Sequence, residues 1–390
     1  MKQKRARKWG IALGIAAGVL ALLVAGGLVG YRLLTNYFVD SYYRGAYTPI
    51  TLAAERIGET SAEHHLADVP WIAATLPVCQ STSLQMIAAQ HGIVRPRQYF
   101  DFLMGFTYGA SSLPGVEFAP FGTDPETGLA VAAPHLGLVR RYYVTDDEAL
   151  YLRALRYYLA QGYVVRLALD MGALYGAEEF LAHSEVLAGY DASGFYYYET
   201  TCIAPATCEA GQRQPGDEGL YVPDERLLDA VRSQARRLSY PWRYALTIFE
   251  PGPAEEDLGP VWKQNGQAML GGAQYGPKMG ADAIEALAER IEQRGTRSDV
   301  SEIRAAMELA AQFRLDDAAY LREAFPGDPD IEQAAALFDQ AVASYQAVRD
   351  AVNDGIADQA EASQIAAHLR DAATAEREIG EILLARAQGK

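Results

Sequence analysis

The chain has 390 residues, half of them hydrophobic, and a formal net charge of −16 with three cysteines. Such an apolar fraction supports packed cores, and the length allows two domains. The acidity argues against a nucleic-acid partner, which needs a basic footprint, and against peripheral binding to anionic lipid.

In chain order, a basic tail over residues 1–8 precedes an apolar run over 9–34 whose only charge is Arg32. The run is long enough for a hydrocarbon core of about 30 Å. The flanking cations predict a single-pass anchor with a cytoplasmic N-terminus and the main domains outside the cell membrane. A cleaved signal peptide would have a shorter apolar core, roughly 7–15 residues, and a small-residue cleavage site. Residues 35–65 read as a stalk, where Tyr37, Phe38, Tyr42, Tyr43 and Tyr47 cluster as interfacial aromatics or pack as a short helix.

A first globular domain is expected over 66–253. It opens with a helix from Cys79 to about His91-Gly92, where glycine suits the C-cap. A second helix is predicted over Arg97–Met104, followed by an irregular Gly-, Pro- and aromatic-rich stretch over Phe106–Pro134. Then come a helix over Asp146–Gln161 and apolar strands over Tyr163–Asp170 and Glu185–Tyr190. A hairpin turn leads to Phe195–Thr200, and a helix over Pro223–Arg237 precedes a last strand over Tyr244–Phe249. Helix first and antiparallel sheet after is an α+β order. The region over 254–390 is predicted to be helical, with four or five helices whose apolar residues recur at three- and four-residue spacing. Ordinary core packing accounts for that pattern, and a face for a protein partner is the alternative.

The chemistry concentrates on one cysteine and one histidine. A thiol in the first turn of a helix sits near the positive end of the helix dipole, which favours thiolate. His183 opens an apolar strand and is the candidate base, and Glu199 at the end of the next strand is the candidate acid that orients it. Glu185 shares a strand face with His183 and is an alternative orienting acid. Asp170 reads as a strand end and helix cap, and Tyr196, Tyr197 and Tyr198 as residues of a half-buried strand. Gln80, the residue after the cysteine, is an oxyanion candidate, although it follows the thiol and is expected to point elsewhere. Cys202 and Cys208 form a candidate disulfide outside the cytoplasm, which leaves Cys79 as the odd thiol. No cofactor or metal site is expected, since two cysteines without a nearby histidine do not make a zinc cage.

The Cys79 helix start, the Gly162-to-Asp170 strand and the His183–Gly189-Tyr190-Asp191–Glu199 unit resemble the papain-like superfamily, and within it the C39-like peptidase domain. Glu199-Thr200 departs from the usual Asp-Pro of that family. Cys79-Gln-Ser-Thr-Ser, His91-Gly92 and Phe102–Gly109 resemble the N-terminal domain of butirosin biosynthesis protein H, as does Trp262–Leu270 for its accompanying helices. That likeness spans roughly residues 65–345. It implies a papain-like α+β domain in which Cys79 and His183 act on a peptide or acyl substrate through a thioester. With the domains outside, a hydrolase fits better than transfer from a carrier protein, because carrier-bound thioesters are cytoplasmic. An inactive binding module that recognises a peptide or partner protein is the competing expectation.

Overall fold

The structure is a computed structural model that describes residues 37–113, 116–122, 124–202, 219–271 and 278–389. Helix α1 covers 37–47 and leads to the short strands β1 (Ile50–Thr51) and β2 (His64–His65). Helices α2 (Cys79–Gln90) and α3 (Arg97–Met104) follow, then the hairpin β3 (Ser111–Leu113) and β4 (Val116–Ala119). Next come α4 (Pro125–His135), β5 (Leu138–Thr145), α5 (Glu148–Ala160), β6 (Val165–Asp170) and α6 (Met171–Tyr175). The chain continues through β7 (Ala182–Tyr190), β8 (Gly194–Tyr198), β9 (Leu220–Pro223), α7 (Asp224–Arg237) and β10 (Tyr244–Pro251). Five helices complete it: α8 (Gly259–Leu270), α9 (Gly280–Arg294), α10 (Val300–Ala324), α11 (Pro329–Ala351) and α12 (Gln359–Ala387).

The main sheet runs β1-β5-β10-β6-β7-β8-β9, with β2 added on β7. It is antiparallel except where β1 lies parallel to β5. Successive side chains alternate between its faces. Val186 and Ala188 therefore join the core under α2, α3 and α4, while Leu187 joins the core under α5 and α7.

Two expectations are corrected here. The α+β segregation gives way to a mixed α/β arrangement, because helices interleave with the strands along the chain and cover both sheet faces. Two elements were hidden in sequence. Helix α4 carries Gly128 and an internal Pro134, and β5 has Arg140 and Arg141 within its apolar run. The single-pass membrane anchor, and the membrane localisation drawn from it, also lose their support. Among the described residues no helix is long and apolar enough to cross a membrane, and 9–34 lies outside them. Helix α1 packs instead on the sheet domain. Tyr43 and Tyr47 sit in an aromatic cluster with Tyr142, Tyr240 and Trp242, while Tyr37 and Phe38 are exposed.

The five C-terminal helices share a core with the sheet domain. Phe102 and Tyr108 pack with Trp262, Phe313, Phe338 and Ile379. Helices α8 and α12 cross at Gly266 and Gly380, where a Cβ on Gly266 would lie 2.8 Å from the Gly380 carbonyl oxygen. A fully buried Arg314 joins the two regions. Its guanidinium forms a two-pronged ion pair with Glu376 at 2.7 and 3.0 Å and donates to the carbonyls of Thr107 and Gly109. Tyr345 donates to the same carboxylate. Removing one partner of a buried ion pair leaves an uncompensated charge, a cost of about 3–5 kcal/mol. Glu376→Ala is expected to destabilise the whole chain by that order in urea unfolding, with one cooperative transition; a separate early transition of the helices would show that Arg314 does not join the regions.

Candidate active site

Cys79 is the first residue of α2, and no capping side chain occupies the amide groups of its first turn. Ser81 and Thr82 instead turn their hydroxyls back to the Val78 carbonyl, and Ser83 bonds the Cys79 carbonyl. The first-turn N–H groups are thus left without a capping side chain at the positive end of the helix dipole. The upstream segment is laid beside the end of β8. Ala74 donates to Thr200 O at 2.9 Å, and Cys202 donates to Ala74 O at 2.8 Å. Trp71 stacks on Tyr198 with ring centroids 5.3 Å apart, and its indole N–H donates to the Glu199 carbonyl at 2.9 Å. These contacts deliver Cys79 to the strands that carry the base and acid.

His183 lies second on β7, buried at 4 % exposure. Its Nε2 is 2.7 Å from Glu199 Oε1 and bonds it. The Cys79 thiol lies close enough to the same ring for its charge to act on it. With Nε2 engaged by Glu199, Nδ1 is the nitrogen left for the thiol. Glu199 is further fixed by Tyr175, whose hydroxyl donates to Oε2 at 2.6 Å, and by the Thr201 amide at 2.9 Å. Tyr197 donates in turn to the Tyr175 hydroxyl. Glu185 projects from the same strand face as His183, and its Oε1 is also 2.7 Å from Nε2. The ring N–H is taken by Glu199, however, and neither Glu185 oxygen has a hydrogen-bond partner. The structure therefore brings together Cys79, His183 and Glu199, with Glu185 beside them.

Electrostatics separates the two carboxyls. Burial pushes the Glu185 pKa well above the usual carboxylate range, and the nearby Glu199 charge adds to the effect. Burial acts the same way on Glu199, but the hydrogen bond and charge of His183 outweigh it, with smaller contributions from Glu185 and Tyr175, and hold that carboxyl below its ordinary value. Burial works to lower the His183 pKa, yet Glu185 and Cys79 beside the ring hold it well above the ordinary imidazole value. The two carboxyls on one imidazole nitrogen are thus shifted in opposite directions. The ligand atoms of His183, Glu185 and Glu199 all lie within 4.8 Å of one another, so these three residues could hold a metal ion.

A polar support beneath α2 was not foreseen. Arg166 on β6, 1 % exposed, donates to Glu126 on α4, to Gln80 Oε1 and to Ser184 Oγ. Ser184 Oγ meets Ser83 Oγ at 2.9 Å, and Arg140 closes the chain on Glu126 at 2.7 Å. Gln80 is placed in this support, its carboxamide oxygen bound to Arg166. Asp170 caps α6, accepting from Gly172 N at 3.0 Å and from Ser233. Tyr175 and Arg166 left no signal at motif spacing. Cys208 lies outside the described residues, and so does the expected Cys202–Cys208 bridge.

No known family model matches the chain, and no curated protein is similar to it. The resemblance to thiol enzymes rests on the short motifs above.

Asp101 on α3, wholly buried beside Ser81, supports the same helix from below. Burial pushes its pKa up to about 6 despite the Arg97 charge. The unfolded carboxyl titrates near its ordinary value of about 3.9. Between those values the folded chain holds a proton that the unfolded chain has lost, so stability falls as pH rises from about 4 to about 6, by on the order of 3 kcal/mol. Asp101→Asn is expected to flatten that limb of the urea-midpoint profile; an unchanged limb would assign it to another group.

Proposed function

We propose that the chain is a thiol enzyme that cleaves or transfers an acyl group through a thioester on Cys79. The observation that carries this reading is the convergence of Cys79, His183 and Glu199, with Nε2 of His183 bonded to Glu199 at 2.7 Å and the thiol beside the same ring. His183 would take the Cys79 proton as the sulfur attacks the carbonyl carbon. The oxyanion of the tetrahedral adduct would accept from the first-turn amides of α2. His183 would return the proton to the departing amine or alcohol, leaving the acyl group on sulfur. Water or an amine then attacks the thioester, His183 taking the acceptor's proton and returning it to the sulfur. Either acceptor fits, since among the described residues no helix is long and apolar enough to cross a membrane and so to place the site outside it.

One observation favours a binding module instead. Cys79 is only 9 % exposed. A small recess lined by Tyr142, Arg166, Gln234, Tyr240, Trp242 and Thr247 includes neither Cys79 nor His183.

Iodoacetamide modification of Cys79 at pH 7, followed by mass spectrometry, separates the readings. His183→Ala is expected to slow it at least about 10-fold, the low end of what a positioned acid or base contributes being about 100-fold in catalysis. Cys79→Ala is expected to keep the far-UV spectrum and lose turnover of an activated ester. Equal modification rates in the wild type and His183→Ala, with no ester turnover by either, would establish the binding module.

A further inference from the structure

Glu185 is the one member of the site whose position the proposed chemistry does not explain. It is fully buried, and neither of its oxygens has a hydrogen-bond partner. A buried polar group without a partner costs several kcal/mol, and an isolated buried charge costs more. His183 is its one charged neighbour by ion-pair distance, which leaves Oε2 with no partner at all. Its Oε1 faces His183 Nε2 at 2.7 Å, and Glu199 Oε1 faces the same nitrogen at the same distance. One imidazole nitrogen and two carboxylates, all within 4.8 Å, form a donor set of borderline hardness. Such a set suits Zn²⁺, Co²⁺ or Mn²⁺ better than Ca²⁺, which takes six or more oxygens, or Mg²⁺, which keeps several waters. Tyr175, 43 % exposed, covers Glu199 through its hydroxyl and lies between the cluster and the surface.

The geometry points to an inhibitory site for a divalent transition-metal ion, held by His183, Glu185 and Glu199. Binding displaces the proton that His183 shares with Glu199 and gives both Glu185 oxygens an electrostatic partner. With the cation on Nε2, the remaining ring proton sits on Nδ1, and that nitrogen can no longer accept the proton of Cys79. The ion therefore silences the thiol without touching the sulfur. Binding is independent of the proposed catalysis; only its consequence for Cys79 rests on that reading.

The full chain, freed of metal by chelator and dialysis, would be titrated with Co²⁺ and followed by its visible d–d absorption. One equivalent is expected to bind. Cys79→Ser should bind equally well, with no sulfur-to-metal charge-transfer band in either protein. Glu185→Gln and Glu199→Gln should each lose at least about 100-fold in affinity, since even residues that only orient a ligand cost about 10–100-fold. Wild-type Cys79 should be alkylated more slowly with Co²⁺ bound. The site is overturned if the wild type shows no band, if binding persists in Glu185→Gln, or if Cys79→Ser abolishes it. Should Glu185→Gln fail to fold, by its far-UV spectrum, Glu199→Gln and Cys79→Ser decide the matter. Unchanged alkylation with one Co²⁺ bound would keep the site and overturn its inhibitory role.

Discussion

Arg166 is the constraint on which the site depends. A guanidinium at the centre of a sheet is costly to bury, and an unpaired one would not remain there. Glu126 balances its charge, and Gln80 and Ser184 take its remaining donors. Those partners lie on α4, α2 and β7, so one side chain ties together the elements that carry Cys79 and His183. The buried polar face of α2 follows from this. Gln80, Ser81, Thr82 and Ser83 are all inside, where an ordinary core helix would place leucines. Polar pairing gives a defined orientation that apolar packing leaves softer.

The C-terminal helices repeat that solution at a second place. Arg314 is as deeply buried as Arg166; its charge is balanced by Glu376, with Asp317 at 3.7 Å, and its other hydrogen bonds go to backbone carbonyls. Those carbonyls belong to Thr107 and Gly109, just after α3, which packs against α2. The helices are thus joined to the segment that follows the support of the site. A continuous apolar core containing Phe102, Trp262 and Phe338 adds non-directional attraction to the same contact.

Part of this was legible in the sequence for physical reasons. A cysteine at a helix start, a histidine at a strand start and an acid at the end of the next strand are local patterns, and local patterns survive without coordinates. Glu185 was legible as well, because alternation alone places it on the His183 face. Tyr175 and the Arg166–Glu126 pair were not. An arginine within an apolar run reads as an interruption until its partner, 40 positions away, is known. The same logic hid β5, whose Arg140 finds Glu126 and whose Arg141 finds Glu250. Helix α4 was obscured because Gly128 and Pro134 are poor helix formers that the surrounding packing overrides. The apolar pattern over 9–34 met the length criterion for a span, but the described helices contain no such element.

The long pairing of β5 with β10 has a consequence for how the chain reaches this state. Its register runs from Leu138↔Pro251 to Thr145↔Tyr244, joining segments about a hundred residues apart, whereas β10 meets β6 at one pair, Thr247↔Arg166. During synthesis β5 emerges long before the strand that completes it. Loop closure over such a separation is slow, and an apolar edge left open in the interval invites pairing with other chains. Arg140 and Arg141 sit in the middle of that waiting edge. The charges that made β5 hard to recognise are also gatekeepers against aggregation of the nascent chain, and each gains its carboxylate partner only as the native structure forms around it.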